Sequence, residues 1–395
     1  MNTVSFDHRT RTPEDVRDVD PERFLADEIP AFLLRNGSVA SRAMRASGLD
    51  SIVIAVDGVE STWRLDAHGD LEILSGDHGR ARAELSRAWF SDLVCNVRSA
   101  VAVLISAEPV MNRGNIMHLI HWETVLRALL DGRPAYEPGL IDFVGRDGAP
   151  LDLGRAFASD DDPAEMAQFL SQTGFMLLRN VFTETELDTI NSQIDALRAE
   201  AKPEDSTSWW GRIGGPDGEH LCIRVNDLPE DALGVSMADR FEPLVAMTGV
   251  GHAFDHIDVL IKPVGVTEGI SDLPWHKDCS LGLHSYQCLQ VIFGLSITAS
   301  GPDNGQLGVV AGSHRVNIDQ FGLSGEIDLP QVFIATEPGD VTVHLSCTLH
   351  SSTPPVQSER RVAYSTFMLP GDTSSLNARI RGVRDQAGRE TFAPN

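Results

Sequence analysis

From His256 onward the chain reads as short runs of β-branched and apolar residues broken by turns: IDVLIKPV, LQVIFGLSIT, GQLGVVAG, GDVTVHL and RVAYSTFML. Many short strands with Gly-rich turns and no long helical period between them predict a sandwich or jelly roll in this half. Upstream the period changes. Pro163 to Thr173 has helical spacing and is closed by Gly174, Phe175 to Val181 reads as a strand, and Thr183 to Ala201 opens on a Thr183/Glu186 capping box and places Leu187, Ile190, Ile194 and Leu197 on one helical face. Nearer the N-terminus, Ser51 to Val59 predicts a strand turning at Asp57-Gly58, with Ser61 to Leu65 as its hairpin partner and Leu71 to Leu74 as a further strand. Helices are expected over Ala81–Cys95 and Ile116–Leu130, with a short strand between them near Val101–Ile105. Asp142 to Asp162 is rich in Gly, Pro and Asp, lacks periodicity and reads as a linker.

The expected organisation is therefore an acidic arm over 1–29 with one short helix near Pro21–Leu25, a small α/β domain over 30–140, a linker over 141–162 and a β-rich domain over 163–395, α+β in class. A length of 395 residues allows two or three domains with large cores. The formal charge of −25 argues against a nucleic-acid backbone or an anionic membrane surface as partner, since both are gripped by clustered Lys and Arg. No apolar run is long enough to span a bilayer, and the first thirty residues have neither the apolar core of a signal peptide nor the pattern of a transit peptide. Cys95, Cys222, Cys279, Cys288 and Cys347 cannot all pair and include no C-x-x-C, so a reducing, cytoplasmic setting is expected.

The chemistry concentrates in the β half. His276 and Asp278 form an H-x-D on an extended segment, where residues two apart point to the same side. His350 ends a strand opened by the turn Pro338-Gly339-Asp340 and is placed to supply a third ligand from another strand. Two histidines and one carboxylate are the facial set that holds ferrous iron with coordination positions left open. Lys262, on the strand before the H-x-D, is within reach of a carboxylate or a substrate.

Together with the opening GFMLLRNV at 174–181, the stretch NGQLGVVAGSHR at 304–315, the G-D strand start and the H-x-S…R-x-A ending, these residues closely resemble the phytanoyl-CoA dioxygenase family of Fe(II)- and 2-oxoglutarate-dependent oxygenases over about residues 163–370. The resemblance implies a double-stranded β-helix core, His276, Asp278 and His350 as iron ligands, and Fe(II), 2-oxoglutarate and O2 as the reacting set. It makes Arg361 the partner of the distal carboxylate, with Ser352 beside it. Arg360 is the adjacent alternative, because alternation along a strand sends the two side chains to opposite faces and only one of them inward. The chain departs from the pattern at Gly294, where some relatives place an aromatic side chain against the cosubstrate. Asp278 fills the position that related halogenases leave free for halide, so hydroxylation is the implied outcome, with desaturation or ring chemistry open. In the same way the order of elements over 30–140 resembles the sterol-carrier-protein-2-like fold. On that likeness Trp89, Phe90, Trp122 and Leu126 either line a lipophilic pocket or simply close a small core.

The expected partner is a small, lipophilic substrate, and a homo-oligomer stays open. Trp209, Trp210, Trp275 and Tyr286 are the pocket candidates, His344 is a candidate neighbour of the triad, and His252 with His256 is a rival metal pair. Two other readings remain: a lipid carrier with a vestigial oxygenase half, and a cupin-like metal enzyme independent of 2-oxoglutarate.

Overall fold

The computed structural model describes residues 17–368 apart from residues 97, 106, 107, 109, 216, 270, 279–289 and 319–326. Tyr286, Cys279 and Cys288 therefore lie outside the described residues, as does most of the expected arm. Cys95 and Cys222 are free thiols, and Cys347 is disulfide-bonded.

The N-terminal unit opens with α1 (Pro21–Arg23), which runs through a wider turn at Phe24–Glu28 into α2 (Ile29–Ala46). The helix thus crosses the boundary expected at residue 30, because Val19, Phe24 and Ile29 are buried in the same cluster as the rest of the unit. Strands β1 (Ser51–Val56), β2 (Val59–Leu65), β3 (Leu71–Ser75), β4 (Ala81–Leu85) and β5 (Met111–Arg113) form one sheet in the order β3-β2-β1-β4-β5. The Asp57-Gly58 hairpin is where the pattern put it, with Val56 opposite Val59.

Two expectations change here. Ala81 to Leu85 is a strand, parallel to β1, and the helix begins only afterwards as α3 (Arg87–Val94), capped by the Ser86 hydroxyl. Alternating burial of Ala81, Ala83 and Leu85, with Arg82 and Glu84 between them, satisfies a period of two that five residues alone do not separate from a helical start. Conversely, Ala100–Ile105 is helical, as α4, its first N–H groups taken by Glu123 and Ser99. Finally α5 (Ile116–Asp131), capped by Asn115, ends at Gly132 in the left-handed conformation. Its Trp122 meets Trp63 edge to face at 5.4 Å, and Trp89, Phe90 and Leu126 are buried in the same core.

The C-terminal unit carries α6 (Pro163–Thr173), β6 (Phe175–Leu178), α7 (Glu184–Glu200), β7 (Ser208–Ile213), β8 (Glu219–Leu228), α8 (Met237–Val245), β9 (Ala253–Lys262), β10 (Val266–Glu268), β11 (Leu273–His276), β12 (Val291–Ser296), β13 (Leu307–Val310), β14 (Gln331–Ile334), β15 (Val341–Leu345), β16 (His350–Ser352) and β17 (Arg360–Met368). An eight-stranded sheet, β10-β7-β8-β9-β17-β12-β15-β6, faces a four-stranded one, β11-β16-β13-β14, in a jelly-roll arrangement. Period-two patterning divides each large-sheet strand. Val291, Phe293 and Leu295, Ile257, Val259 and Ile261, and Ala363 and Phe367 join Phe241 and Ile190 of the helices in the main core. The alternate residues of the same strands turn toward the small sheet.

Residues 141–162 do not form a free linker. Phe157 pairs with β6, and Phe143, Leu151 and Leu153 pack on the C-terminal core. Gly174, closing α6 at φ 80°, must be glycine twice over: a Cβ there would lie 2.4 Å from Thr348 Oγ1 and 2.5 Å from His314 Nδ1. That close approach joins α6 to the loop that delivers His350.

Candidate metal centre

His276 ends β11 and His350 begins β16, and the two are direct cross-strand partners on the small sheet. Asp278 follows two residues after His276. Its Oδ1 lies 3.7 Å from His276 Nε2 and 3.6 Å from His350 Nε2, so the three ligand atoms converge as one cluster within 4.8 Å of one another. Each imidazole is oriented from behind. Nδ1 of His276 donates to the Pro274 carbonyl at 2.7 Å, and Nδ1 of His350 donates to the Thr348 carbonyl at 3.0 Å. This fixes the tautomer that leaves both Nε2 lone pairs facing the aspartate.

Burial, reinforced by the neighbouring His350, pushes the His276 pKa down to about 4, and burial likewise lowers that of His350. Burial works against the charge on Asp278 but is outweighed by His350, His344 and His276, which hold its carboxyl well below the usual range. Two neutral imidazoles and an ionised carboxylate form a donor set suited to iron(II). His344, from β15 on the large sheet, reaches the second oxygen of Asp278 at 3.4 Å. It is a brace for that carboxylate, as its even spacing from His350 allowed.

The stretch NGQLGVVAGSHR proves to be scaffolding for this centre. Gly305 O accepts from Ser352 Oγ, Ser313 Oγ accepts from Leu349 N, and Ser313 O accepts from Lys277 Nζ. His314 bonds the Ser171 carbonyl of α6.

About two residues along β16 from His350 lies a second feature. Lys262, 1% exposed, donates to Ser352 Oγ at 2.8 Å and to Ser352 O at 3.0 Å, and Arg360, 3% exposed, donates to the same hydroxyl at 3.0 Å. Here the structure corrects the arginine expected from the sequence. Arg360 is the cross-strand partner of Lys262, and that register turns Arg360 inward. Arg361 faces the opposite way, onto α7, where it binds Asn191 and Asp195 at 2.7 Å each and Glu359. The phase was not readable because the loop from Ser352 to Glu359 has no periodicity to carry it.

Among the described residues no carboxylate comes within ion-pair distance of Lys262 or Arg360. Burial, with the Arg360 charge adding to it, pushes the Lys262 pKa down to about 7. Arg360 Nε is buried without a partner. Two buried cations and an orphaned donor are a fit for the far carboxylate of a small dicarboxylate bound at the metal.

The pocket candidates divide. Trp275 alternates away from His276 and packs against Phe333 with the small cluster behind the sheet. Trp209 lies under the Arg224 guanidinium at 4.5 Å, on the face shared with Lys262, while Trp210 Nε1 donates to Ser208. His256 does not pair with His252, whose Nδ1 contacts Thr248 Oγ1. It clusters with Asp227 and Asp258 instead. Arg224 already occupies Asp258, and although burial opposes its charge, Asp255 and Asp258 raise His256 to about 9, so both of these carboxylates are already paired with cations.

No curated protein matches the sequence, and no helix among the described residues is long and apolar enough to cross a membrane. Similar solved structures include AviO1 from Streptomyces viridochromogenes Tue57 (20% identity over 50% of this chain and 90% of that one, TM-score 0.42). EctD from S. alaskensis with bound Fe (18%, 60% and 87%, TM-score 0.43) and the epimerase SnoN in complex with Fe3+, alpha ketoglutarate and nogalamycin RO (18%, 54% and 90%, TM-score 0.41) are others. Residues 170–363, which hold the triad and the paired cations, match the model of the Phytanoyl-CoA dioxygenase (PhyH) family.

Proposed function

We propose that this domain is an Fe(II)- and 2-oxoglutarate-dependent dioxygenase that hydroxylates an unactivated C–H bond of a small organic molecule. When bound, the metal would supply the dioxygen chemistry that converts 2-oxoglutarate to succinate and CO2 as the substrate is oxidised. His276, Asp278 and His350 would hold it, and Asp278, by filling the carboxylate position, favours hydroxylation. Lys262 and Arg360, with Ser352 between them, would take the distal carboxylate.

The observation that carries the reading is that buried cationic pair beside the triad. A cupin-like enzyme with no dicarboxylate to bind would leave both charges uncompensated. The inward face of the large sheet mixes apolar Leu260, Ile292 and Val362, all buried yet absent from the main core, with Arg224 and Asp258. The substrate we propose therefore has polar groups as well as the lipophilic portion expected from the sequence. For the N-terminal unit we propose a scaffold role. Its sheet supports the sterol-carrier-like reading, but Trp63, Trp89 and Trp122 are all buried in the unit's own core.

Succinate formation by the iron-loaded full chain tests the assignment. Arg360→Ala should raise the 2-oxoglutarate requirement about thirty-fold or more, the cost of truncating one side of a buried charge pair. Arg361→Ala should leave it nearly unchanged. The reverse pattern would sink the anchor assignment, and no succinate from the wild type would sink the function.

A further inference from the structure

We infer that Tyr364 is a cosubstrate-binding residue whose ring, laid across Gly294, forms the wall against which the carbon chain of 2-oxoglutarate packs; this rests on the dioxygenase reading. Directly paired residues in adjacent antiparallel strands share a sheet face, so the registers give rows across the large sheet. One row is His344, Ile292, Thr366 and His256, and the next is Thr342, Gly294, Tyr364 and Asp258. The first row lies level with the metal centre, since His344 touches Asp278. Farther along β17 and on the same face comes Arg360, partnered by Lys262. The inward residues of β17 between these two levels are Tyr364 and Val362. A molecule that chelates at the triad and ends on Arg360 must pass over them.

Gly294 shows where the ring goes. It sits in the middle of β12, so no turn calls for glycine there. What calls for it is space: a Cβ at this position would lie 2.8 Å from Tyr364 Cε1, 3.1 Å from Tyr364 Cδ1 and 2.8 Å from Thr342 Oγ1. The tyrosine ring therefore leans from β17 over β12 and fills the volume that a side chain at 294 would occupy. On the other face of the same strands Phe293 and Phe367 are locked into the main core, 5.5 Å apart, whereas Tyr364 belongs to none of the hydrophobic clusters. Its hydroxyl makes no hydrogen bond among the described residues. A ring that no core claims, aimed between a metal triad and a carboxylate anchor, offers an apolar surface to the two methylenes that separate the carboxyl ends of 2-oxoglutarate.

Calorimetric titration of 2-oxoglutarate into the Fe(II)-loaded full chain, without oxygen, tests this. Tyr364→Ala should weaken binding about tenfold, the worth of two methylenes losing their apolar wall, with iron affinity unchanged. Tyr364→Phe should bind within about twofold of wild type, since the contact is made by the ring. Gly294→Ala, which keeps the tyrosine but displaces it, should lose several-fold, and the double variant should be no worse than Tyr364→Ala alone. Tyr364→Ala binding as tightly as wild type, or Tyr364→Phe binding as weakly as Tyr364→Ala, overturns the inference. Wild-type protein that binds iron but no 2-oxoglutarate would instead overturn the dioxygenase reading.

Discussion

Lys262 is the residue on which the electrostatics of the proposed cosubstrate site turn. A lysine in the unfolded chain titrates at about 10.4, and in the folded protein burial and Arg360 bring it to about 7. Between those values the unfolded chain holds a proton that the folded chain lacks, so the stability of the ligand-free protein should rise with pH across that window, the penalty being complete below about 7. Cosubstrate binding has the opposite dependence. A carboxylate beside Nζ favours the ammonium form, so binding takes up a proton above pH 7, and affinity should fall by up to about tenfold per pH unit as pH climbs. Calorimetry between pH 6.5 and 9 checks this, and Lys262→Arg, which stays charged, should flatten the slope. The metal ligands are simpler: His276→Ala or His350→Ala should lose stoichiometric iron by metal analysis, because a two-ligand remnant holds ferrous ion poorly. The clustering of His276, Asp278 and His350 was legible in the sequence since the H-x-D carries its own geometry. The choice between Arg360 and Arg361 was not, since it depends on a partner, Lys262, that lies ninety-odd residues away along the chain.

Among the elements, the short ones were the hard ones. The strands from β9 onward announced themselves by period and by turns, and α7 by its capping box, which the structure shows in full with Thr183 and Glu186, whereas β7, β8 and α8 carried no signal that was read as structure. Ala81–Leu85 and Ala100–Ile105 were exchanged between strand and helix because five or six residues are too few to separate the two periods. What decided them was neighbours: β1 for the first, Glu123 of α5 for the second. The junction between α6 and β6 illustrates the opposite case, a single residue whose identity commits two elements. Gly174→Ala combines a left-handed backbone with overlap against Thr348 and His314, and should destabilise the protein by roughly 3 kcal/mol in urea unfolding. Because Thr348 also receives the His350 ring nitrogen on its carbonyl, the same change should weaken iron retention even at temperatures where the protein stays folded.

At the scale of the molecule, the stretch after α5 behaves as a strap. Tyr136 bonds Asp328 and Asn317, the Asp142 carbonyl receives Arg315, and Tyr136 and Ile141 pack with Trp275 on the back of the small sheet near Leu349, the neighbour of His350. The composition of this stretch, rich in Gly, Pro and Asp and without periodicity, concealed that role. A chain beginning at residue 133 should therefore keep iron and consume 2-oxoglutarate, whereas one beginning at residue 159 should melt at least about 5 °C lower and lose metal first, measured by thermal unfolding with and without iron. The carbonyls of Pro274 and Thr348 bear on the history of the molecule as well as its geometry. Main-chain atoms already steer both imidazoles, so their orientation does not wait for an ion, and an ion arriving after folding would meet rings already turned toward it. Iron lost to a chelator or to oxidation would then leave a chain waiting to be refilled, and the limit on active protein in a cell would be the supply of ferrous ion rather than the yield of folding.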